Sequence, residues 1–153
     1  MRPEFMVIFH VGFGMLGILT AVWLYVEALN LTEANQGRIR VASLLLAIFF
    51  WLSYLLGGYY YVNYYAPSKA VILAGPFPWA HNFFMETKEH LFFMLLLLAT
   101  YVPIAVYNLK LFPEKAGRNA VLAVAGITLI LGLIMDGSGA MIIMGEKCGL
   151  IGR

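Results

Sequence analysis

The chain has 153 residues, of which 62% are hydrophobic and 12% charged, with a formal net charge of +2 and a mean hydropathy of +0.84. Soluble domains carry about 25% charged and roughly 45–50% apolar residues, and a chain this short cannot hide the surplus from water. The figures exclude a soluble globular enzyme, a disordered chain and a basic binder of nucleic acid, so the lipid bilayer is the first partner. One cysteine, Cys148, also excludes an internal disulfide or a cysteine-based zinc framework.

Crossing roughly 30 Å of hydrocarbon takes about 20 apolar residues in a helix. Four segments meet that requirement, at about 5–29, 41–61, 90–109 and 120–144. Their apolar runs are continuous and rich in Leu, Ala and Met, without the alternation of barrel strands, so the expected fold is all-α. The whole chain, 1–153, reads as one integral membrane four-helix bundle. The first segment is too long for the apolar region of a signal peptide, and no A-x-A site follows it, so it is expected to remain as a span.

Short polar connections are expected at 31–40 and 110–119. The stretch 63–89 contains Pro67, Pro76 and Pro78 among Trp79, Phe77, Phe83 and Phe84, which predicts a loop lying in the membrane interface. Tyr59, Tyr60, Tyr61, Tyr64 and Tyr65 read as an aromatic belt at the end of the second span. Four spans place both termini on one face. Positive charge ties at five on each side, but Arg38, Arg40, Lys110, Lys115 and Arg118 crowd the two short loops. That density points to cytoplasmic short loops and external termini, in a bacterial or archaeal inner membrane.

Ionisable groups at membrane depth are costly and mark function. His10, Glu86, Glu89, His90 and Asp136 all fall towards the terminus-bearing face, with His81 in the long loop on that side. His10, Gly14, Gly17 and Ala21 share a helix face, as do Gly132, Asp136, Gly139, Ala140 and Ile143. Such glycines serve close helix packing, or clear room beside a ligand for something flat. His81 and His90, nine residues apart, would face opposite ways on one straight helix. Pro103 falls inside the third span.

Three chemistries follow. Haem b needs an imidazole from each of two helices at one depth and small residues where the porphyrin passes. His10 and His90 suit the axial positions, His81 is the substitute, Gly14 and Gly17 give clearance, and Lys69, Lys88 or Arg2 could pair with propionates. A non-haem site would use His10, Glu86, His90 and Asp136, a donor set suited to iron, zinc or copper. A cofactor-free chain would relay protons, bind a quinone headgroup or dock onto a larger complex.

The span count and the placement of His10, His81 and His90 resemble the small four-helix membrane b-type cytochromes. That resemblance implies electron transfer between a quinol pool and an external redox partner. No span carries two widely spaced histidines, as the larger two-haem cytochromes b do, so a single haem near one face is implied. The small extramembrane portion favours a homo-oligomer or a subunit of a membrane complex.

Overall fold

A computed structural model describes residues 2–151. Among the described residues the fold is all-α with no strands: α1 (Pro3–Leu29), α2 (Gln36–Ala74), α3 (Glu86–Asn108) and α4 (Lys115–Ile151). A short 3₁₀ turn, Glu33–Asn35, precedes α2, and a π-helical segment, Ala80–Met85, runs directly into α3. Four helices are long and apolar enough to cross a membrane.

Consecutive helices pack side by side and α4 closes back onto α1, which sets α1 and α3 diagonally. The main core is a ladder of Ala, Leu, Val and Phe, including Ala21, Leu24, Ile39, Leu46, Phe50, Leu95, Val102 and Val121. A smaller core of Tyr65, Ile72, Ala80 and Ile142 joins the ends of α2 and α4 to the π segment. There α4 comes close because Gly145 abuts Ala80 and Gly149 abuts Val71, where a Cβ would collide.

The long interfacial loop expected at 63–89 is mostly helix. α2 continues through Pro67 to Ala74, and the next helical turn starts at Ala80. Only 75–79 breaks the helix. Gly75, ahead of Pro76, is extended at φ −90° and ψ −176°, the conformation a following proline ring favours. The third span therefore begins about ten residues earlier than the apolar count indicates, which puts His81, Glu86, Lys88 and Glu89 on helix. With 39 and 37 residues, α2 and α4 run about 55–58 Å at 1.5 Å per residue, well beyond the hydrocarbon thickness.

The opposite end of the bundle is tied by side chains. Asn35, 3% exposed, donates to the Glu27 carbonyl at 3.1 Å, the Glu27 carboxylate at 2.7 Å and the Asn30 carbonyl at 3.2 Å. Arg118 of α4 donates to the carbonyls of Ala28 and Leu29 at 3.0 and 2.7 Å. These are the last carbonyls of α1, which lack partners in their own helix.

Candidate functional site: a polar interior in one half of the bundle

α1, α2 and α3 each send one polar side chain into the half of the bundle where α1 begins and α4 ends, and Asp136 of α4 stands exposed at its edge. From α1, the Nδ1 of His10 lies 2.8 Å from the Ser53 carbonyl and 3.0 Å from the Ser53 hydroxyl. Ser53, on α2, returns its hydroxyl to the His10 carbonyl at 3.0 Å. A carbonyl only accepts, so the imidazole proton sits on Nδ1 and Nε2 is left open. Gly57 permits this placement, because a Cβ there would stand 2.6 Å from the His10 ring.

From α3, Lys88 runs along the interior and brings its ammonium beside Gly139. It stands in the neighbourhood of His10 and of Asp136 on α4, with no hydrogen bond to either and no ion pair with Asp136 among the described residues. The core stripe Phe92, Leu95, Ala99 and Val102 extends back by one turn to Lys88. His90, two residues on, is rotated by about 200°, and it is exposed. Its Nδ1 donates to the Glu86 carbonyl of its own helix at 2.7 Å.

Nearer the face, a second polar group fills the gap between α2, the π segment and α4. His81 is 2% exposed. The Tyr65 hydroxyl is 3.1 Å from its Nδ1, and its Nε2 is 3.7 Å from the Glu86 carboxylate. A tyrosine hydroxyl donating to Nδ1 leaves the proton of His81 on Nε2, aimed at that carboxylate. Tyr61 stacks on Tyr65 at 5.1 Å between ring centroids and lies beside the Glu89 carboxyl. Glu89 Oε1 is fully buried and has no hydrogen-bond partner among the described residues.

Beyond His10 and Ser53 the interior turns apolar. Phe50, 2% exposed, inserts its ring between Gly17 of α1 and Gly132 of α4, where added Cβ atoms would stand 3.0 and 3.2 Å away. The clearance expected for a flat ligand at Gly14 and Gly17 is thus taken by the chain's own Ser53 and Phe50. The buried hydroxyls of Thr20, Ser43 and Thr128 in the far half bond back to carbonyls of their own helices.

His10 and Asp136 therefore share a neighbourhood, and His81 and Glu86 share another. His10 and His90 do not face each other, because the α3 face turned inward carries Lys88. The set His10, Glu86, His90 and Asp136 is not gathered, and no group of three or more His, Cys, Asp or Glu side chains able to hold a metal forms among the described residues. Lys88, Ser53, Tyr61 and Tyr65 were not singled out by the sequence reading as interior groups. The helical phase of Phe92 and Leu95 marks Lys88 once α3 is started early enough, and Leu46, Phe50 and Ser53 form the matching stripe on α2.

Comparison with protein families, with curated proteins and with solved structures gives no match to this chain.

Proposed function

We propose that this chain is a membrane subunit that relays protons from the face where α1 begins to mid-depth, where a redox partner or a quinone would take them up. The observation that carries the reading is the interior grouping of His10, Ser53 and Lys88 above the Phe50 ring, with the exposed Asp136 of α4 at its edge. Imidazole, carboxyl, hydroxyl and ammonium groups pass protons along hydrogen bonds. Apolar side chains do not, so a relay of this kind ends at Phe50. Tyr65, His81 and Glu86 form its outer section.

A dead-end relay makes a specific demand of liposomes holding the purified protein and a pH-sensitive dye. The wild-type protein leaks protons no faster than lipid alone. Phe50→Ala opens the barrier and raises proton permeability, and Phe50→Ala/Asp136→Asn returns it towards the baseline. A Phe50→Ala leak indifferent to Asp136→Asn, or no leak in folded Phe50→Ala, rejects the relay.

A second reading, haem b-dependent electron transfer, has its own support. The Nδ1 of both His10 and His90 is held by a backbone carbonyl, the arrangement that orients an imidazole and frees Nε2 for a metal. A haem clasped by both histidines inside one bundle does not fit these residues, since His90 faces outward. His10 alone, or His90 from another chain, would have to serve. A Soret band with stoichiometric haem in purified protein favours this reading, and a colourless preparation removes it. Stoichiometric iron, zinc or copper without porphyrin would point instead to the carboxylate-containing set.

A further inference from the structure

We propose that a second copy of this chain docks against α4, setting its His90 on Asp136 and its Phe83 in the groove beside Ala140, so that copies associate head to tail. Asp136 is exposed, stands at the level of the bundle's middle, and has no hydrogen bond or ion pair within 4 Å among the described residues, Lys88 approaching it only from the interior side. A carboxylate turned towards acyl chains costs about 2.5–3.5 kcal/mol on insertion scales. Lipid tails offer it no donor. Something polar covers it.

The complement is on the chain itself. Gly145 of α4 abuts Ala80 at the start of the third span, and the helices run antiparallel from there. Counting residue for residue brings His90 level with Asp136 to within about one residue, or about 1.5 Å. His90 is exposed on the outer face of α3, with Nε2 free. Two copies inserted with the same topology keep their residues at the same depths, so the match survives between neighbours. The same count sets Phe83, 59% exposed, level with Ile143. Ala140, Ile143, Met144, Lys147 and Cys148 line an open, mostly apolar groove of about 500 Å³ on the face that carries Asp136. Phe83 of the π segment and His90 and Leu97 of α3 recur every seven residues, all exposed, and form one ridge along the third span. Ridge and face carry a ring above a groove and an imidazole above a carboxylate, in register.

Self-pairing of α4 would oppose Asp136 to Asp136 and Lys147 to Lys147, which like charges disfavour. The contact is therefore heterologous, a ridge of one copy against the groove of the next, and the rotation between copies sets whether the series closes into a ring. In this assembly His90 seals the open edge of the polar interior beside Asp136. The assembly stands whether or not that interior moves protons.

The test uses the full chain carrying Cys148→Ser. One tagged version carries His90→Cys and a second, with a different tag, Asp136→Cys. After co-expression, oxidation of the membranes is expected to give a disulfide-linked product bearing both tags, absent when either version is paired with the Cys148→Ser parent. A Leu97→Cys/Leu129→Cys pair, one heptad further along both helices and leaving both polar groups intact, should link in the same way. A product from Asp136→Cys chains alone overturns the head-to-tail arrangement. So does the loss of both linked products in membranes where the variants remain folded. As an independent readout, subunit counting by stepwise photobleaching of the wild-type chain in native-membrane nanodiscs is expected to show more than one copy, and single copies reject the proposal. Failure here leaves the liposome leak unaffected, so the two readings fall separately.

Discussion

The phenyl ring of Phe50 is confined from two sides, and that confinement can be measured. A Cβ at Gly17 would lie 3.0–3.1 Å from three carbons of the ring, and a Cβ at Gly132 would lie 3.2 Å from its Cζ and 3.0 Å from Ile18. With Gly17→Ala alone, the ring escapes by moving a few tenths of an ångström towards Gly132, and the reverse holds for Gly132→Ala. Overpacking costs about 1–3 kcal/mol, and Gly→Ala in a helix returns about 1 kcal/mol, so each single variant loses about 1 kcal/mol. The double variant closes both exits. Each methyl then meets an immobile ring, near the upper end of that range, which gives about 4 kcal/mol together and a coupling of about 2 kcal/mol. Unfolding in mixed micelles with increasing dodecyl sulfate, followed by tryptophan fluorescence, supplies the four stabilities of the cycle. Phe50→Leu in the double background should recover much of the loss. Additive single effects, or no recovery, would show that the ring is free to move and does not bar the bundle.

Three further outcomes follow. Gly57→Ala pushes the His10 ring off the Ser53 carbonyl, so the His10 Nδ1 resonance in ¹⁵N solid-state spectra should lose its hydrogen-bonded shift, and an unchanged signal counts against the placement. Asn35→Ala strands the Glu27 and Asn30 carbonyls and should cost about 1–3 kcal/mol, clearly more than Arg38→Ala, whose partner stays in contact with Asn35 and Trp23; equal effects in detergent unfolding would contradict that ranking. Tyr65→Phe removes the partner of buried His81 Nδ1 and should cost about 1–3 kcal/mol. It should also slow the Phe50→Ala leak, and an unaltered leak would place Tyr65 outside the relay.

Much of the architecture was legible in the amino-acid sequence. Continuous apolar runs demand internally hydrogen-bonded segments in lipid, so four spanning helices follow from composition and length. Crowding of polar groups into one half was legible too, because charges in an apolar chain stand out by contrast. The extent of α2 past Pro67 was less so, since a proline ends a helix only where its neighbours cannot absorb the missing donor.

Sequence alone therefore decided solvent, helix number and which half of the bundle is polar, because these depend on sums over many residues. Only the packed structure decided that Lys88 rather than His90 enters the interior, and that Gly17 and Gly132 make room for Phe50. Helical phase turns by about 100° per residue, so Lys88 falls in line with Phe92 and Leu95 and opposite His90 only because α3 already includes it. Which neighbour fills the space beside a glycine is set by the axial offset between helices, and that offset is a property of the whole bundle.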